Sequence, residues 1–258
     1  MKPRFEKFLS HDNPKAIKAG GFGYLNGINY MAPHKAGGVG NLCSHASKGC
    51  ISLCLGEHSG QAAISSKVKQ SRIYKARYFM KERGAFMSEF ALHCAKLYRK
   101  AQAAGLKTAI RPNGSTDIAF EGVAFEIPES VAKKISGILG REFPAQKYRN
   151  IFEAFPEIQF LDYTKNARRF DRTLPPNYHL TFSVSETNHE TARILLSRSV
   201  SCAVVFGVLP HPESFLHSKV INGDEHDLRF LDPAGVIVGL TPKGHKAKRD
   251  TSGFVVRL

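Results

Sequence analysis

Three of the five cysteines fall within twelve residues, in the segment 41–56 (NLCSHASKGCISLCLG), where Cys43, Cys50 and Cys54 have the spacing C-x6-C-x3-C. Ser44, Ser47 and Gly49 let the backbone wrap between the first two. Residues four apart share a helical face, so Cys50 and Cys54 are expected side by side with Cys43 folded back over them. Converging thiolates are soft ligands, and soft ligands select iron–sulfur centres or zinc. A structural zinc site is a closed tetrahedron, which His45 or His58 would complete as a Cys3His set. A [4Fe–4S] cluster held by three cysteines instead keeps one iron open to a small ligand, the arrangement suited to radical chemistry. The third reading is three reduced thiols that merely pack. Clustering among glycines and serines argues against it, whereas Cys94 and Cys202, far apart in apolar company, read as core.

Further candidates lie at the ends of apolar runs. The strand-like run 107–111 (KTAIR) leads into Pro112, Asn113, Gly114, Ser115, Thr116 and Asp117, and the run 158–163 leads into Thr164, Lys165 and Asn166. In parallel α/β sheets ligands bind beyond the carboxyl ends of the strands. Asn113, Ser115, Asp117 and Lys165 are therefore candidate cofactor-binding residues, Lys165 as a fixed positive charge for an anion. An ordinary capped turn and a surface lysine account for the same residues. Asp224, His226 and Asp227 crowd one turn without EF-hand spacing, so Asp224 and Asp227 are read as pocket residues rather than a second metal site.

These positions need a frame. The segment 22–31 suits a strand or hairpin that delivers the chain to Cys43. A helical pattern runs over 65–104, divided near Gly84 and stopped by Gly105. Pro128 and Pro144 sit where helices start, with Gly140 and Pro156 closing them. A strand over 178–184 is followed by a helix to about residue 197, for which Thr187 and Glu190 have capping-box spacing. The apolar run 202–208 and the strand 236–240 complete a strand–helix rhythm, and the basic tail ends in one short strand. That rhythm predicts one α/β domain over 1–258, with a parallel sheet closed fully or partly into a (β/α) barrel and the cysteine loop after its first strand.

Composition narrows the class. With 42% hydrophobic and 23% charged residues the 258-residue chain is ordinary globular protein. It has no apolar run long enough to cross a bilayer and no signal-like amino terminus, so a cytoplasmic protein without a membrane partner is expected. Internal repeats and low-complexity segments are absent. The 37 Lys and Arg against 22 Asp and Glu give a net charge of +15, which favours anionic partners. Arg168, Arg169 and Arg172 form one basic group and Lys243, Lys246, Lys248 and Arg249 another. Nucleic acid and plain solvation explain them equally well, since no nucleic-acid motif accompanies them.

A cysteine loop after the first strand of such a sheet resembles the radical S-adenosylmethionine superfamily, although this chain has C-x6-C-x3-C where that superfamily has C-x3-C-x2-C. No Gly-Gly-Glu-like stretch follows the cysteines. The combination of NLCSHASKGC-x3-C, SRIYKARYF, RPNGSTDI, DYTKN, NYHLTFSVSE, INGDEHDLR and VGLTPKG more closely resembles the phage-encoded family called gene product eighty-eight, over nearly the whole chain. The resemblance implies a barrel related to the radical enzymes, in host cytoplasm, with Cys43, Cys50 and Cys54 as ligands of an iron–sulfur cluster. S-adenosylmethionine is the cofactor of that superfamily. A barrel that kept the cluster and lost the cofactor would serve electron transfer or redox sensing, with an electron donor as partner. The alternative function is a basic nucleic-acid-associated module with structural zinc or a structural cluster.

Overall fold

In the computed structural model, which describes Phe5 and residues 7–258, the strand–helix rhythm becomes a mixed α/β protein built on a mostly parallel nine-stranded sheet. Strands β1 (Tyr24–Ile28), β2 (Lys107–Arg111), β5 (Gln159–Thr164), β6 (Tyr178–Ser183), β7 (Cys202–Phe206) and β10 (Ile237–Leu240) lie parallel in that order. Beyond β10 comes β9 (Ser218–Asn222), parallel to it, and then β8 (Ser214–Phe215), antiparallel to β9. The last strand, β11 (Val255–Val256), pairs with Val205 and Phe206 of β7. A separate antiparallel pair is formed by β3 (Phe125–Glu126) and β4 (Lys147–Tyr148). Among the described residues no ladder joins β1 to β8 or β9, so closure into a barrel is not part of the pairing.

Successive residues of β5 serve opposite faces, as a pleated strand requires. Phe160 enters the helix-side core with Ile110, Phe90 and Ile135, whereas Leu161 meets Ala19, Ala109 and Leu228 on the other face. The helix side is covered by α5 (Ser66–Lys81), α6 (Arg83–Ala103), α7 (Glu129–Leu139) and α9 (His189–Ser197). Phe8, Phe86, Phe90 and Phe120 are essentially inaccessible there, each burial contributing about 1.5–3 kcal/mol. Cys94 and Cys202 are buried in the same layer, as core thiols should be. None of the described helices is long and apolar enough to cross a membrane.

The differences from the sequence reading have local causes. The long helix breaks at Glu82, whose φ of −133° leaves the helical region, two residues before Gly84. After Pro144 the chain is extended into β4, with one helical turn at Ile151–Ala154 capped by Asn150. Phe143, Tyr148, Phe152 and Phe155 there stack with other rings rather than repeating along a helix face. The capping box at Thr187 and Glu190 does not form: Asn188 precedes α9, and its side chain accepts the Ser185 amide at 2.7 Å. The β8–β9 hairpin turns through Leu216 and His217, both at positive φ, without the Asn-Gly signature such a turn usually carries.

One buried charge fixes the exit of β1. Lys75 of α5 is 5% exposed, and its Nζ donates to the Phe8 carbonyl at 3.0 Å and to Asn29 Oδ1 at 3.2 Å. Asn29 in turn donates Nδ2 to the Pro112 carbonyl and its backbone amide to Arg111, so the lysine ties α5 to the turns that follow β1 and β2. Burial, helped by nearby Arg72, lowers the ammonium from 10.5 to about 7. The unfolded chain therefore holds a proton that the folded chain sheds between those values, so stability rises with pH across that window and is least below it. Lys75→Met should flatten the rise in urea-unfolding stability between pH about 7 and about 10; an unchanged slope would contradict this assignment.

Candidate functional site

The cysteine segment leaves β1 and crosses the carboxyl ends of the parallel strands on two short helices, α2 (Lys48–Ser52) and α3 (Leu55–His58). Ser47 caps α2 by accepting the Cys50 amide at 3.2 Å and donates its own hydroxyl to Glu186 Oε2 at 2.8 Å. Glu186 Oε1 also accepts the Gly49 amide at 2.7 Å, so a carboxylate from the loop after β6 holds the amino end of α2. A Cβ on Gly49 would stand 2.7–2.9 Å from Ser252, Glu186 and Phe254, which explains glycine at this contact. Leu53 ends α2, and Cys54 is the N-cap of α3. The two cysteines thus come from successive helices, not from one helical face.

Polar neighbours favour the thiolate at each cysteine. The His34 amide donates to Cys43 Sγ at 3.2 Å, made possible by a φ of +36° that a non-glycine residue adopts only under constraint. His34 Nε2 meets Glu57 of α3 at 2.7 Å, linking the start of the segment to its end. The Gly56 and Glu57 amides favour the thiolate of Cys54, and the Lys165 ammonium favours that of Cys50. Burial outweighs these effects, pushing Cys43 up to about 12, Cys54 up to about 11, and Cys50 upward as well. The charge of each thiolate also acts on the others: Cys43 is raised by Cys54 and Cys50, and Cys54 by Cys50. Among the described residues no three His, Cys, Asp or Glu side chains are placed to hold a single metal ion, and His45 is exposed, bonded to Ser44.

The loop after β2 braces this segment. Ser115 donates to the Met31 carbonyl at 2.6 Å, its own carbonyl lies 3.8 Å from Cys43 Sγ, and a Cβ on Gly56 would meet it at 2.7 Å. Asn113 is a framework residue, not a free hand for a cofactor. Its amide and Nδ2 donate to the two oxygens of Asp162 at 2.8 Å, and its Oδ1 accepts Thr116 and Ile118. Asp162 also accepts the Tyr178 hydroxyl at 3.0 Å; burial pushes its carboxyl up to about 7 while Arg111 and Arg169 pull it down. Asp117 accepts the Lys165 amide and pairs with Arg169 at 3.2 Å, and its charge reaches Cys43 and Cys50. Lys165 donates Nζ to Ser183 Oγ at 2.6 Å and sits 5.1 Å from the Phe254 ring, with Cys50 and Cys43 in its field.

Asp224 and Asp227 part company. Asp224 accepts the amide and hydroxyl of Thr241 at 2.8 Å and pairs with Lys243 at 3.5 Å, at the ends of β9 and β10. Asp227 is fully buried against the other sheet face, accepting Arg111 at 3.1 Å and the Tyr163 hydroxyl at 3.0 Å. The basic group at 168–172 also divides: Arg169 is buried in bonds to Glu121, Asp117 and Tyr178, and only Arg168 and Arg172 are exposed. Sequence reasoning missed Glu186, His34 and Arg72, whose Nη1 donates to the Gly56 carbonyl at 2.8 Å. No spacing pattern links them to the cysteines.

Glu186→Ala should release the amino end of α2 and remove a charge that disfavours the Cys50 thiolate, both of which raise reactivity. Iodoacetamide should therefore label Cys50 faster in the variant while Cys43 is little changed, as read by peptide mass spectrometry; equal rates at Cys50 would contradict the role given to Glu186.

No curated protein and no solved structure matches the chain. The family model of gene product 88 matches residues 7–258, and the chain belongs to that family.

Proposed function

We propose that Cys43, Cys50 and Cys54 hold an iron–sulfur cluster with one iron open, and that the protein carries out redox or radical chemistry on a sheet related to the radical S-adenosylmethionine barrels. The observation that carries this reading is three half-buried thiols on one short segment with polar groups around them: the His34 amide donates to Cys43 Sγ at 3.2 Å, the Gly56 and Glu57 amides favour the Cys54 thiolate, and the Lys165 charge favours that of Cys50. Thiols that only pack need no such donors, whereas hydrogen bonds to ligand sulfurs orient a cluster and set its potential. A cluster makes a looser demand on the thiol positions than zinc does. Around one zinc ion four donors must meet at a point, and no three of the described side chains do so. In a cluster each thiolate takes a different iron, so the sulfurs face one another at wider separation.

Bound there, the cluster would supply one-electron transfer. The chain's own residues would do the rest. Glu186 and Ser47 fix the helix that presents Cys50, Ser115 holds the loop against Cys43 and Gly56, and Lys165 places a positive charge beside an anionic centre. Phe254, ahead of β11, covers Gly49 and Lys165. The nucleic-acid reading is the weaker one: Arg169 is committed to Asp117 and Glu121, and Lys243 pairs with Asp224.

Anaerobic purification followed by iron and sulfide analysis tests the assignment. Cys43→Ala, Cys50→Ala and Cys54→Ala should each lose most of the bound iron, and Cys94→Ala should keep it. Full iron retention in the triple variant would refute the proposal.

A further inference from the structure

Beside the cysteines lies a guanidinium without a carboxylate. Arg72 is half-buried on α5, donates Nη1 to the Gly56 carbonyl, and carries its Cζ 4.6 Å from the centre of the Tyr30 ring. Among the described residues no Asp or Glu pairs with it, and a charge withdrawn from water without a counter-ion is costly. Arg111 acts on the same tyrosine. It stacks on Tyr163 at 4.6 Å, donates Nε to the Asn113 carbonyl and Nη1 to Asp227, and remains 17% exposed. The face of the sheet that bears Arg111 and Tyr163 also holds unsatisfied polar atoms. Thr181, the register partner of Tyr163, is fully buried with its hydroxyl unpartnered, and His179 Nε2, two residues earlier on β6, is unpartnered too. Buried polar groups are nearly always bonded, so orphans on one face mark a place where something polar belongs.

We propose that Arg72, which lies over the Tyr30 ring, and Arg111, which lies over Tyr163, together bind the anionic group of a small ligand, a carboxylate or a phosphate, next to the cysteine segment. A guanidinium presents a planar fork of donors that matches either anion. Arg72 supplies the uncompensated charge, Tyr30 an aromatic wall, and Arg111 a second fork that Asp227 and Asn113 hold in place. The proposal deepens the reading of the cysteine site by naming the chemistry of what binds there, and it stands on groups that are not cysteines.

Calorimetric titration of inorganic phosphate, and separately of acetate, into the full-length protein tests it, with iron content measured on the same samples. At least one anion should bind at a single site, and Arg72→Gln should weaken binding about tenfold or more, the factor one hydrogen bond to a charged group supplies. Phosphate bound more tightly than acetate identifies a phosphorylated ligand, and the reverse a carboxylate. Lys248→Gln, at the separate basic groove lined by Lys243, Lys248 and Arg257, should leave binding unchanged. Absence of binding by either anion, or binding that survives Arg72→Gln, would overturn the proposal. Iron loss in Arg72→Gln with anion binding retained would do so as well, since Arg72 would then be a counter-charge for the thiolates. Anion binding that needs Arg72 in a protein without iron would uphold the anion site while removing the cluster.

Discussion

All strands of the nine-stranded sheet except β8 run in one direction, and that constraint places the site. Whatever follows β1, β2, β5 or β6 emerges at the same rim, so the cysteine segment, Ser115 and Asp117, Lys165 and Glu186 meet without lying near one another in sequence. Parallel order alone does not hold loops still. The buried Asp162 supplies that by accepting Asn113 twice and Tyr178 once, which pins the turn after β2 to β5 and β6. Arg169 extends the lock to Asp117 and Glu121. A buried carboxylate among donors and guanidiniums tolerates little displacement, because removing any partner leaves an unpaired charge in a poorly solvated place. The turn is therefore rigid where it touches Cys43 and Gly56.

The burial that raises the three thiols has a consequence for their chemistry. Free thiols pushed up to about 11 or 12 are protonated and sluggish at neutral pH, unlike redox-sensing cysteines in exposed electropositive settings. Yet the surroundings contain amides and an ammonium that favour the anion. Those two features agree if the thiolates are formed by metal coordination, which removes the proton outright. Lys165 then places a positive charge beside an anionic centre.

Much of the frame was legible in the sequence because apolar runs of strand length alternate with helical periods. β2, at 107–111, appears at the expected residues, and β5, β6, β7 and β10 differ from their expected bounds by one or two residues at an end. The region 144–156 misled because Pro144 and Pro156 sit where helices start and stop, whereas its aromatic residues pack as a ring stack around β4. The β8–β9 hairpin was invisible, since Leu216 and His217 occupy conformations usually reserved for glycine or asparagine. At the site, the clustering of the cysteines singled out one segment, but the single helical face expected for Cys50 and Cys54 is broken at Leu53. Asn113 carried a polar signal whose meaning was structural, because its bonding capacity is used on Asp162, Thr116 and Ile118. Asp224 and Asp227, three residues apart, ended on different partners because the chain between them turns from the sheet edge onto its inner face.

The central claim is that these three cysteines carry a cluster with one distinct iron, and Mössbauer spectroscopy of protein enriched in iron-57 and purified without oxygen reads it most directly. The account predicts about four irons per chain in a cluster whose fourth iron differs from the three bound by thiolate. A protein free of iron, or one holding a single zinc ion, would contradict it.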